Sequence, residues 1–150
     1  MATTILGWGY EGKTINDLLA TLEANRVHTV VDIRLTPISR KKGFSKTRLR
    51  QAVESTGTRY VHMRSLGNPK DNRVAFAHPG TPEAHAAYVR FRNEVLTTPE
   101  AQVAIHEIAD LAHDGTILVL CFEDNHQQCH RKLVIEEACA VLEEAERFAA

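Results

Sequence analysis

The chain has 150 residues, 43% of them apolar and 25% charged, which gives one globular domain a substantial core and no reason to expect a second. A formal net charge of −1 removes any argument for nucleic-acid or membrane binding from bulk electrostatics. No apolar stretch reaches the roughly 18 to 20 residues of a membrane span, the start of the chain lacks a secretory pattern, and three irregularly spaced cysteines suit free thiols in a reducing compartment; a cytoplasmic protein without membrane partners is expected.

Strand-like and helical runs alternate along the chain. Thr3 to Trp8 reads as a first strand, and Thr14 caps a helix from Ile15 to Asn25 whose stripe is Ile15, Leu18, Leu19 and Leu22. Val27 to Ile33 is a second strand. Ser45 caps a short helix with Leu49, Ala52 and Val53 inward; Gly57 ends it, and Arg59 to Met63 forms a third strand. The segment from Arg64 to Thr81 has no periodicity and is expected to be a long loop acting as a lid. Helices over Pro82 to Leu96 and Pro99 to His113 each begin with proline. Then the apolar run from Thr116 to Phe122 reads as a buried parallel strand, and a helix follows from the Cys129-His130-Arg131 turn to Arg147. The expected fold is a single α/β domain over 1–150, with a mostly four-stranded parallel sheet flanked by helices, flavodoxin-like or related. An incomplete βα barrel is the alternative.

Charge is unevenly distributed. Arg34, Arg40, Lys41, Lys42, Lys46, Arg48, Arg50, Arg59, Arg64, Lys70 and Arg73 are opposed only by Glu54 and Asp71 in that interval, while the last helix is acid-rich. One side of the molecule is expected to be basic.

Several short motifs occur in a fixed order: Gly9-Tyr10-Glu11-Gly12, Val31-Asp32-Ile33-Arg34, Pro37 with Ser39-Arg40-Lys41, Gly43-Phe44-Ser45-Lys46, Tyr60, His62, Leu66-Gly67, Pro69-Lys70, Cys121-Phe122-Glu123 and Cys129-His130-Arg131. This set resembles the domain of unknown function 488 family over nearly the whole chain. The resemblance implies no activity, because that family is defined by its sequence pattern. It also implies a further strand with a histidine-containing motif after the last helix. This chain stops at Glu146-Arg147-Phe148-Ala149-Ala150, so an edge strand is expected to be lacking.

In a parallel sheet the segments Trp8 to Gly12, Asp32 to Arg40, His62 to Lys70 and Cys121 to Arg131 all follow strand carboxyl ends and face one crevice. Arg34, Arg40, Lys70 and Arg131 are the candidate ligand-binding residues, since guanidinium groups and helix-start N–H groups favour phosphate or carboxylate. The opposing reading makes these charges mutual ion pairs, Asp32 with Arg131 or Glu123 with Arg34, that hold loops together. Glu11, Asp32, Glu123 and His130 are candidates for acid/base work. Cys129, a thiol at a helix start beside His130 and Arg131, is a candidate nucleophile, whereas Cys121 reads as buried and inert. A zinc site at Cys121, Glu123, Cys129 and His130 is chemically conceivable, but adjacent Cys129 and His130 rarely both reach one ion, so no metal ligands are assigned. No motif names a cofactor. The resulting expectation is a protein that binds a phosphate-bearing small molecule or nucleic acid in a strand-end crevice, with hydrolysis as its candidate reaction. A non-enzymatic nucleic-acid-binding module and a thiol-based redox protein using Cys129 are the alternatives.

Overall fold

Short apolar runs become strands and the amphipathic stretches between them become the helices that cover them. In the computed structural model, which describes residues 4–149, β1 (Ile5–Gly9), β2 (Val27–Asp32), β3 (Arg59–His62) and β4 (Thr116–Cys121) make one parallel sheet in the order β1-β4-β2-β3. The sheet is open, so the barrel alternative falls and the α/β reading stands. The strand start expected at Thr3 lies outside the described residues. No helix among those residues is long and apolar enough to cross a membrane.

Successive side chains on a strand point to opposite faces, and the two faces bury different helices. Val30, Leu118 and Leu120 lie in one cluster with Leu18 and Leu22 of α1 (Ile15–Ala24) and Leu49 and Val53 of α2 (Lys46–Glu54). Val31, Ile117 and Val119 lie in the other. There they share a core with Phe76 of α3 (Arg73–Phe76), Ala87 of α4 (Pro82–Arg90), Ile105 and Ile108 of α5 (Pro99–Ala112) and Leu133 and Val134 of α6 (Arg131–Ala149). A helix as short as α2 is marginal alone. Its two fully buried anchors, each worth roughly 1.5–3 kcal/mol, hold it to the sheet, and Leu49→Ala would release it.

Two caps were expected, at Thr14 and Ser45. Thr14 forms a reciprocal box with Asp17: its hydroxyl accepts from Asp17 N at 3.2 Å and its N–H donates to Asp17 Oδ2 at 2.8 Å. Ser45 makes no side-chain cap. Its Oγ accepts from Ser39 N and donates to Ser39 O at 3.0 and 3.1 Å, closing the β2–α2 loop on itself. The segment read as a structureless lid is also corrected. It holds two 3₁₀ turns, Arg64–Leu66 and Lys70–Asn72, followed by α3, and it buries Leu66, Asn68, Asn72 and Phe76. The helix expected to run from Pro82 to Leu96 passes into a π-helical turn at Phe91–Leu96, which carries the buried Phe91.

Candidate functional site

β2 and β4 are neighbours, but the chain leaves β2 for α2 on one face and leaves β4 for α6 on the other. Such a divergence opens a crevice beyond the strand carboxyl ends. A cleft of about 180 Å³ occupies that place, lined among others by Arg34 after β2, Arg73 at the start of α3, Cys121 and Glu123 at the end of β4, and His130 before α6. The exposed side chains of Ile38 and Phe122 also line it. The strand-end loops are bonded together: Tyr10 N and Glu11 N donate to Cys121 O and Phe122 O, Ile33 N donates to Leu120 O, and Met63 N donates to Asp32 O.

Below the cleft lies a closed network. Arg34 Nε and Nη2 donate to the two carboxylate oxygens of the fully buried Asp32 at 2.8 and 2.7 Å, and the Arg34 backbone N–H adds a third bond at 3.1 Å. Tyr60 donates its hydroxyl to Asp32 Oδ2 at 2.5 Å, while Arg34 Nη1 donates to Phe44 O at 2.6 Å and to the Tyr10 hydroxyl at 3.4 Å. Burial alone would disfavour charge on Arg34, but the hydrogen bonds and charge of Asp32 outweigh it and raise its pKa; burial and then Asp32 push the Tyr60 hydroxyl up. Asp32 and Arg34 therefore satisfy one another. The ion-pair reading was right in kind and wrong in partners, because residues two apart at a strand end turn back on each other.

Arg131 was expected to point into the crevice. Instead its side chain is buried: Nη1 donates to Glu123 O and, at 3.1 Å, to Cys121 Sγ, and Nη2 donates to Asp124 O at 2.9 Å. Among the described residues its Nε is the one buried side-chain polar atom without a partner. The guanidinium passes beside β1 where only glycine leaves room. A Cβ on Gly9 would lie 1.8 Å from Glu123 O, and one on Gly7 would lie 3.1 Å from Arg131 Nε.

Cys121 and Cys129 are joined by a disulfide, leaving Cys139 free and half-buried. The expectation of free thiols at 121 and 129 is corrected, and Cys129 is not an available nucleophile in this state. Both sulfurs are buried. The two cysteines, eight residues apart across the loop and 3₁₀ turn (His126–Gln128) that follow β4, meet as the conceivable zinc grouping would require, but as a disulfide.

His130 is buried with its Nε2 3.0 Å from Ile33 O and its ring edge-on to Phe91. A carbonyl only accepts, so Nε2 carries the proton. Burial pushes this imidazole down to about 4 and keeps it neutral. Glu123 is half-buried, and desolvation raises its pKa although Arg131 and Arg73 pull the other way. Glu11 is exposed and accepts from Asp124 N at 3.2 Å, beside the cleft but not in its lining. Arg40 and Lys70 are exposed and outside that lining. His62 bonds Arg34 O at 2.7 Å. Nearby, Trp8 packs against Phe44 with ring centroids 6.2 Å apart, and Lys13, ion-paired with Asp124, holds its Nζ 5.2 Å from the indole centroid.

The cleft thus gathers three of the expected residues, Arg34, Glu123 and His130, over Asp32 and Cys129. It adds Arg73, which sequence reasoning counted in the basic run but did not assign to the site. The signal was present only as position: Arg73 ends the aperiodic connection, and no spacing rule shows that α3 turns it inward. Its Nε donates to Asn68 O at 3.2 Å, and its residue is exposed at the cleft. A model of the family described as a domain of unknown function, DUF488, matches residues 14–138. No curated protein and no solved structure matches the chain.

Proposed function

The chain belongs to the DUF488 family, a membership that carries no activity with it, and from the cleft we propose that it binds a phosphate-bearing ligand of nucleotide type. The observation that carries this reading is the pairing of a guanidinium committed only through its Nε with a half-buried acid at the β2/β4 divergence: Arg73 and Glu123 line one cavity. At about 180 Å³ the cavity is smaller than sites that enclose a whole ligand, for which roughly 300–1,000 Å³ is usual. It suits one phosphoryl group. The remainder of the ligand lies over Ile38 and Phe122, whose exposed ring offers a stacking face for a base.

Arg73 binds the phosphoryl oxygens, and Arg34 contributes field without giving up Asp32. Glu123, whose pKa burial raises, serves as the proton donor to the leaving oxygen while a water attacks phosphorus and releases its own proton to solvent, which makes phosphoester hydrolysis the reaction assigned to the site. A second reading, a nucleic-acid backbone binder without turnover, draws on the exposed Arg40, Lys42, Lys46, Arg48 and Arg59. Calorimetric titration with nucleoside mono- and triphosphates and with short oligonucleotides, at two salt concentrations, tests both. The first reading expects mononucleotide binding that Arg73→Ala weakens roughly ten- to a hundredfold, the loss of a charge-assisted contact. Oligonucleotide binding alone, with steep salt dependence, favours the second. Absence of both, or an unchanged Arg73→Ala, overturns the assignment.

A further inference from the structure

We propose that reduction of the Cys121–Cys129 disulfide turns Cys121, Cys129 and His130 into a binding site for a borderline-soft divalent cation of the zinc class, with a fourth position open to the cleft. The three ligand atoms lie within 4.8 Å of one another. Tetrahedral zinc, with bonds of about 2.3 Å to sulfur and about 2.0–2.1 Å to nitrogen, places its donors roughly 3.4–3.8 Å apart. Cys129 Sγ is 3.6 Å from His130 Nδ1, and Cys121 Sγ is 3.8 Å from Glu123 Oε2. The two sulfurs must separate, and their Cα atoms, 7.4 Å apart, leave room for an ion between two thiolates.

The surroundings supply what a metal site needs beyond its ligands. Because Nε2–H of His130 is held by Ile33 O, the Nδ1 lone pair faces the sulfurs in the correct tautomer. Arg131 donates from Nη1 to Cys121 Sγ at 3.1 Å and from its backbone N to Cys129 Sγ at 3.5 Å. Such donors favour thiolate, the form that binds metal. Two buried thiolates without a cation would be costly. Adjacent Cys129 and His130 both reach the point because the backbone turns between them, with Cys129 extended and the chain entering α6 at Arg131.

A soluble dithiol passes two electrons and two protons to the Cys121–Cys129 bond and becomes a disulfide itself. The cation then displaces both thiol protons to solvent. Three protein donors leave the fourth position to Glu123 or water. None of this depends on a nucleotide occupying the cleft.

The test uses the full chain reduced by a phosphine, which is oxidised to its oxide without leaving a competing thiol, and titrated with cobalt(II), a zinc stand-in with visible spectra. One cobalt per chain is expected, with a thiolate-to-metal charge-transfer band that zinc abolishes and that the oxidised chain lacks. His130→Gln should lower the affinity at least about tenfold, the loss that even outer-shell changes produce, while Cys139→Ser should leave it unchanged. Circular dichroism on the same samples reports folding. The proposal is overturned by a folded reduced chain without the band, by a reduced chain that stays unfolded with cobalt, by His130→Gln binding as tightly as the parent, or by loss of the band in Cys139→Ser.

Discussion

Three arginines at one strand-end cluster do three different things, and only their surroundings distinguish them. Arg34 is neutralised by Asp32, Arg131 braces loop carbonyls, and Arg73 keeps most of its guanidinium free for the cleft. Arg131→Ala should therefore cost about 3 kcal/mol of stability, since it strips carbonyls of a charged donor and leaves a void. Arg73→Ala should stay within about 0.5 kcal/mol of the parent. Urea unfolding of both variants measures the contrast, and the reverse order would exchange their roles. His130 carries a pH signature. Its folded pKa, about 4, lies below the ordinary 6.5, so between those values the unfolded chain holds a proton that the folded chain does not. The contribution is fully present above 6.5 and falls by about 3 kcal/mol as the pH drops to 4. Urea midpoints from pH 4 to 7, taken with a chelator, should show this slope in the parent and lose it in His130→Gln. Glu123, raised by burial, acts in the opposite sense: its contribution is present at low pH and is lost as the pH rises through its folded pKa. That slope should be missing in Glu123→Gln.

At the scale of elements, the contact between β1 and the loop after β4 is the tightest in the site. Gly9→Ala would drive a methyl into Glu123 O and should destabilise by about 3 kcal/mol or more. Gly12→Ala meets nothing within 4 Å; its φ of +74° alone should cost about 1 kcal/mol. Thermal melts of the pair check this, and equal losses would mean that β1 yields. Strands, helices and the strand-end position of Asp32, Glu123 and His130 were legible because periodicity and turn residues are local signals. The insertion of β4 between β1 and β2 was not, since hydrogen-bonded order is decided by which helix covers which face. The connection from Arg64 to Thr81 was misread for a related reason. Its order comes from Asn72, whose amide bonds Asn68 Oδ1 and Ala87 O at 3.1 Å, partners that no periodicity announces. The direction of Arg131 was equally hidden, because a helix-start position says where a long side chain begins and not where it ends.

For the whole molecule, the basic run of the sequence is divided between the interior and the exposed surface. Arg34 is internal, Arg50 is paired with Glu54, and Arg40 and Lys70 stand outside the cleft lining. A mononucleotide should therefore lose little more than about tenfold in affinity over a tenfold rise in salt, as roughly one neutralised charge implies. Arg40→Ala and Lys70→Ala should each change its affinity by less than about threefold, on the scale of a screened distant charge. Calorimetry at several salt concentrations reads both, and a slope several times steeper would place the ligand on the outer basic surface. One further property follows from the position of Trp8, the chain's single tryptophan. The indole is buried against Phe44 under the Lys13 ammonium, and that lysine is tied to Asp124 in the loop that ends β4. Any ligand or ion that shifts this loop also moves a cation over the only indole. The protein therefore carries its own optical probe: native emission should be blue-shifted, and a change in its intensity would report cleft occupancy without a label.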